Sequence, residues 1–163
     1  MIRNADREDM KRIMEIYENA RAFMAANGNA GQWSGGYPAE ELLLEDLRKK
    51  QLYVYEEDQK IEAVFVYFFG EDPSYREIRN GSWLNEKPYG VLHRIAVAGQ
   101  GRGIASICLK WCLRESGNLR GDTHENNRSM QRLFEKNGFT KCGIVTIEDG
   151  TDRIAYQKTA EER

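Results

Sequence analysis

The sequence predicts one α/β (α+β) domain over residues 1–163, on three observations. Strand-like runs and helix-period stretches follow one another in the order β-α-α-β-β-(long loop)-β-α-β-α-β-β. A chain of 163 residues can bury a core without disulfide or metal staples. Near its middle, Tyr89–Trp111 (YGVLHRIAVAGQGRGIASICLKW) reads as strand, glycine-rich turn and amphipathic helix in direct succession.

Taken in order, Met1–Asn4 is a short strand, and Asp6 is an N-cap with Asp9 in an acidic first turn. Met10, Ile13, Met14, Tyr17, Ala20 and Met24 keep helical spacing to about Ala26, where Asn27-Gly28-Asn29 stops the helix. That methionine-rich stripe suits core packing or a plastic contact surface. Gly31–Pro38 (GQWSGGYP) is irregular; Trp33 and Tyr37 either fold back on the core or line a pocket. A second helix runs from Ala39 to near Lys49, with Leu42, Leu43 and Leu47 apolar and acids early. Leu52–Glu56 and Lys60–Phe69 make an antiparallel hairpin around Glu57-Asp58-Gln59, its second strand apolar on both faces and therefore covered. Gly70–Lys87 is polar and turn-rich around an isolated Trp83, and a connection this long is often functional or carries small elements of its own.

In the central unit Val91, His93, Ile95 and Val97 alternate with Leu92, Arg94 and Ala96. After Gly99-Gln100-Gly101-Arg102-Gly103, the residues Ile104, Ile107, Cys108, Trp111 and Cys112 form one helical stripe. Leu119–His124 is a short strand, and Asn126 or Asn127 caps a helix with Met130, Leu133 and Phe134 on its apolar side, closed by Asn137-Gly138. Phe139–Glu148 and Thr151–Lys158 form a last hairpin around Asp149-Gly150.

A net charge of −2 argues against a broad polyanion-binding surface, so no nucleic-acid partner is expected. The charged N-terminus is not signal-like and no 18-residue apolar run exists, so no membrane partner is expected either. Cys108, Cys112 and Cys142 have no CxxC spacing and no histidine cluster, which points to reduced, buried thiols in a cytoplasmic protein with no metal.

The glycine-rich turn carries the functional signal. It places a helix N-terminus at the end of a buried strand, where unpaired N–H groups and the helix dipole face an anion. An ordinary strand-to-helix connection would look similar. The Walker form is excluded because Ile104-Ala105, not Lys-Ser/Thr, follows the last glycine. The dinucleotide form is excluded because Gly99, Gly101 and Gly103 give only G-x-G-x-G. Gln100, Gly103 and Ala105 do fit Q/R-x-x-G-x-G/A. That pattern on this strand–turn–helix resembles the acetyl-CoA pyrophosphate loop of the GNAT N-acetyltransferase superfamily. Downstream, Asn127, Met130, Leu133, Phe134, Lys136, Gly138 and Phe139 resemble the family's N-x-x-[small or Met]-x-x-L-[Tyr]-x-K-x-G-F pattern. GQWSGGYP and DTHENN resemble a group of small bacterial members.

The resemblance implies a central mixed, mostly antiparallel twisted sheet flanked by about four helices. It implies acetyl-CoA as acyl donor, held by Arg102, Gly103, Ile104 and Ala105 at the pyrophosphate, by Ile95, Ala96 and Val97 along the pantetheine, and by Asn127. The acceptor is expected to be a small-molecule amine, attacking directly in a ternary complex. An alkyl amine has a pKa of ~10.4, so a base must remove its proton. His93 and His124 are the candidates, with Asp122 two residues from His124 and on the same face of an extended chain. As alternatives, His93 is a core residue and His124 a cap or solvent-facing side chain. Trp33, Tyr37 and Trp83 are candidates for the acceptor wall, and Glu40 or Glu41 for attracting a cationic amine. Two departures stand out: Phe134 replaces a family tyrosine able to protonate the departing thiolate, and the Ala98-Gly99 link before Gln100 is short. Phe134 keeps open a second reading, a CoA-binding sensor or partner-binding module of the same fold. A nucleic-acid-directed toxin of this fold is disfavoured by the charge. A homodimer through the last hairpin or the methionine-rich helix is left open.

Overall fold

The computed structural model describes residues 1–29, 31–33 and 36–160. Seven strands, β1 (Ile2–Asn4), β2 (Leu52–Glu57), β3 (Lys60–Phe69), β4 (Gly90–Val97), β5 (Asn118–Thr123), β6 (Thr140–Thr146) and β7 (Asp152–Thr159), hydrogen-bond in the order β1-β2-β3-β4-β5-β7-β6. Among the described residues four α-helices accompany them: α1 (Met10–Ala26), α2 (Glu40–Arg48), α3 (Ile104–Ser116) and α4 (Arg128–Lys136). β1/β2, β2/β3, β5/β7 and β6/β7 pair antiparallel, whereas β4/β5 pair in parallel at Gly90↔Leu119 and Val91↔Arg120. This is the mixed, mostly antiparallel sheet with about four helices that the resemblance implied. Among the described residues, no helix is long and apolar enough to cross a membrane.

The chain divides into two compact units, Met1–Tyr67 with His93–Cys108, and Phe68–Leu92 with Leu109 onward. In the first, Asp6 is the expected N-cap, and it forms a reciprocal capping box with Asp9 on a 3₁₀ turn (Arg7–Asp9) that leads into α1. α1 buries Met10, Ile13, Ile16 and Tyr17, the one-sided stripe of an amphipathic helix. Leu43 of α2 and Leu52, Val54, Val64 and Val66 of the hairpin complete the core, with Trp33 and Ala96. The β2–β3 turn is two residues long, Asp58 and Gln59, both at positive φ (51° and 65°), the backbone a tight hairpin needs.

β4 departs from the expected alternation. Arg94 has φ +51°, a left-handed residue within a strand, and Val91 and Leu92 are both buried. The helical stripe of α3 is also re-phased. Ile104, Cys108, Leu109 and Cys112 are buried, whereas Ile107, placed on the stripe from spacing, is 42% exposed.

In the second unit, Tyr75, Tyr89, Val91, Val145 and Ala155 form a core joined by Phe68, Ile78 and Trp83. Phe134 stacks on Tyr156 (centroids 4.5 Å) and lies 5.2 Å from Phe139. The expected long polar connection is anchored throughout. Asp72 caps a 3₁₀ turn (Pro73–Tyr75) by accepting from Ser74 N. Asp72 N donates to Tyr89 Oη (2.9 Å), Trp83 Nε1 to Tyr75 O (2.9 Å) and Leu84 N to the fully buried Gln157 Oε1 (2.8 Å). Arg79 exchanges two 2.8 Å main-chain bonds with Ile144.

Candidate functional site

The glycine loop lies in the first unit. Gly101 and Gly103 have φ +82° and +73°, and a Cβ at Gly99, Gly101 or Gly103 would meet nothing within 4 Å. The first helical bond runs from Ile107 N to Gly103 O (3.2 Å), so the N–H groups preceding it lie outside the helix ladder. Open space, left-handed glycines and a helix start therefore coincide, as close approach of an anion requires. The loop is tied back by Ala98 N donating to Glu62 O (2.8 Å). Arg102, expected to reach the anion, is held by Glu62 (3.1 Å) and Glu57 (3.3 Å) and is half exposed. Such a surface pair contributes at most about 1 kcal/mol, so a multiply charged ligand can compete for the guanidinium. Ile95 and Val97 are half-buried in β4 and Ala96 is buried. Ile104 is buried and Ala105 half-buried in the first turn of α3.

Arg94, just before that strand end, is the centre of a polar cluster in the same unit. Its Nη2 donates to Asp46 Oδ2 (2.5 Å), and the side chains of this pair are 14% and 9% exposed. Its Nη1 donates to Tyr37 Oη (3.1 Å), and its main-chain oxygen accepts from Tyr17 Oη (2.7 Å). Burial raises the Tyr17 phenol above its ordinary range, keeping it a donor. Tyr17 also meets Trp33 edge-on at 5.5 Å. Trp33 and Tyr37 thus stand at two ends of one chain of contacts through Tyr17 and Arg94. Trp33 is a core residue, 7% exposed, whereas Tyr37 is 37% exposed. His93 is half-buried in β4.

Trp83, Asp122, His124 and Asn127 belong to the second unit. The Arg120 guanidinium carbon lies over the Trp83 ring, 4.1 Å from its centroid, and over the Tyr89 ring at 4.0 Å. Asp122 Oδ2 accepts from Tyr75 Oη at 2.5 Å; burial, then the Asp122 charge, pushes that phenol well above its ordinary range. His124 Nδ1 accepts from Asn126 N (3.0 Å), which assigns the neutral ring's proton to Nε2. Asn127, not Asn126, is the α4 cap, its Oδ1 accepting from Met130 N (3.1 Å). All three cysteines are buried thiols outside any disulfide; burial pushes the Cys108 thiol up to about 12. Among the described residues, no cluster of three or more His, Cys, Asp or Glu could hold a metal ion.

Sequence reasoning missed Arg94, Asp46 and Tyr75. Asp46 had a signal: it stands three residues after Leu43 and one before Leu47, a charge on the apolar side of its helix. Arg94 had none, because its importance comes from a backbone angle.

This fold is one that acetyltransferases use. A GNAT-family acetyltransferase from Streptococcus agalactiae 2603 superposes with TM-score 0.92 at 33% identity, over 99% of this chain and 96% of that one. A Staphylococcus aureus Mu50 protein classed as an acetyltransferase gives TM-score 0.71 at 27% identity, covering 98% of each chain. The Salmonella typhimurium protein yncA, solved with acetyl-CoA, shares the fold at TM-score 0.64 and 20% identity, over 100% of this chain and 95% of that one. No protein-family model and no curated protein matches the chain. On the Streptococcus likeness, the chain belongs to the GNAT acetyltransferase family.

Proposed function

We infer that the protein transfers an acetyl group from acetyl-CoA to a primary amine of a small-molecule acceptor, by direct attack in a ternary complex. The observation that carries this reading is the open, left-handed glycine loop at the start of α3. Residues Arg102 to Ala105 offer main-chain N–H groups to the pyrophosphate, and Arg102 exchanges Glu57 and Glu62 for phosphate oxygens. The main chain of Ile95–Val97 pairs with the amides of the pantetheine as an added strand would. Val97 N–H polarises the thioester carbonyl. The deprotonated amine forms a C–N bond at that carbonyl carbon, the C–S bond breaks, the CoA thiolate leaves, and the nitrogen gives its extra proton to water. A thiol pKa of ~8.5 makes it a fair leaving group that water can protonate, consistent with Phe134 at the motif position. His93 is the candidate base in the first unit. His124, with Asp122, is the candidate in the second, and Asn127 is a further candidate for donor binding.

Calorimetric titration with acetyl-CoA and desulfo-CoA tests the donor. Binding near micromolar is expected, and Gly103→Glu should abolish it through bulk and like charge. No binding of either ligand to the wild type, or full binding to the variant, would overturn the reading.

A further inference from the structure

The first unit spends an unusual amount of structure on Arg94. Its left-handed backbone, φ +51°, is a conformation that non-glycine residues adopt rarely and at a cost. Three partners hold it there: the buried Tyr17 phenol on the main-chain oxygen, Asp46 on Nη2 and Tyr37 on Nη1. Even so, the guanidinium is not saturated. It has five N–H donors, two are used in these bonds, and its buried Nε has no partner. Its most exposed partner is Tyr37. Tyr37 is 37% exposed, its ring centroid is 6.0 Å from the guanidinium carbon, and its hydroxyl still has its own proton to donate. A second guanidinium reaches the same residue, Arg21 Nη1 donating to Tyr37 O at 3.4 Å. Two cations therefore converge on Tyr37, and among the described residues the carboxylate bonded within the cluster is Asp46.

We propose that Arg94 and Tyr37 recognise a carboxylate on the acceptor, so that the acceptor is an amine bearing a carboxylate, of the amino-acid type. This rests on the acetyl-transfer reading above. The phenol and the uncommitted guanidinium N–H groups are directional donors, and Arg matches the two oxygens of a carboxylate. Asp46 fixes the guanidinium's direction and neutralises one charge; Arg21 supplies the excess that favours an anion. The exposed Glu40 and Glu41, three and four residues beyond Tyr37, suit the ammonium end of the same molecule. A merely structural Arg94–Asp46 pair would not require a bond to the exposed Tyr37.

The test compares matched amines with and without the carboxylate: γ-aminobutyrate against butylamine, L-alanine against ethylamine, and L-lysine against cadaverine. Binding to the full chain is read by saturation-transfer NMR, without turnover. The carboxylated member of at least one pair should bind at least tenfold more tightly. Tyr37→Phe should weaken that member roughly tenfold, the weight of one hydrogen bond to a charged group, and leave its partner unchanged. Arg94→Lys should do the same if it folds; Tyr37→Phe carries the test if it does not. Equal binding within every pair, no binding by any carboxylated amine, or no effect of Tyr37→Phe would overturn the proposal. Acetyl-CoA titration runs alongside: loss of donor binding in the wild type defeats the transferase reading itself, whereas intact donor binding with no carboxylate preference defeats this proposal alone.

Discussion

Replacing Asp46 by Ala leaves the Arg94 guanidinium without its ion-pair partner, in a place where its side chain is only 14% exposed. Removing one member of a buried pair costs about 3–5 kcal/mol, because the remaining charge stays desolvated. Here the lower end applies, since Arg94 keeps the Tyr37 bond and some solvent. A loss of about 3 kcal/mol corresponds to a fall in Tm of roughly 6–12 °C for a chain of this size. Urea denaturation followed by circular dichroism and tryptophan fluorescence gives the free energy directly. The double variant Asp46→Leu/Arg94→Met provides the sharper comparison, because it removes both charges. It should be more stable than Asp46→Ala, despite carrying two changes. A cost below about 1 kcal/mol for Asp46→Ala, the range of exposed pairs, would refute the claim that this pair is effectively buried. So would a double variant less stable than the single one.

Three further outcomes follow from other parts of the molecule. A Cβ at Gly121 would lie 2.8 Å from Phe134 Cζ, whose ring is backed by Tyr156, so Gly121→Ala should cost about 1–3 kcal/mol. Adding Phe134→Leu should recover part of that loss in a double-mutant cycle; strict additivity would show that the ring is not the obstacle. With the Cys108 thiol raised to about 12 and all three cysteines buried, Ellman's reagent at pH 8 should react slowly with native protein and rapidly after denaturation. A native thiol reacting like free cysteine contradicts that burial. Hydrogen bonding from Arg3 holds the Asp9 carboxyl below its ordinary 3.8. Its folded pKa is depressed, so the contribution is complete above 3.8 and is lost as pH falls through the folded value. Wild type should therefore exceed Arg3→Gln in stability near neutrality and converge on it in acid; a gap that stays constant down to pH 3 refutes the linkage.

Periodic features of this fold were readable, and features set by single backbone angles or distant partners were not. α1 and the β2–β3 hairpin fall where spacing put them, because one buried face imposes a 3.6- or 2-residue repeat on the sequence. The same logic mis-phased α3, placing Ile107 inside and overlooking Leu109, since both are apolar and composition cannot rank them. Strand alternation through β4 was interrupted by a left-handed Arg94 that side-chain chemistry does not announce. In the candidate site the glycine loop was legible because only glycine tolerates such a backbone freely. Asp122 was legible as a candidate, but its Tyr75 partner is 47 residues away in sequence. Trp83 was legible as unusual, while its packing on Arg120 depends on a strand beginning 35 residues later.

The anchoring of residues 70–88 has a practical consequence. By composition this polar stretch looks dispensable, the natural place to shorten the chain or to insert an affinity tag. Its amides at Asp72 and Leu84 are instead bonded to Tyr89 and Gln157, and Gly81 sits so close to Cys142 O that a Cβ there would lie at 1.9 Å. Hydrogen exchange at those two amides should resemble that of strand interiors, and a deletion here should behave as a lesion of the core.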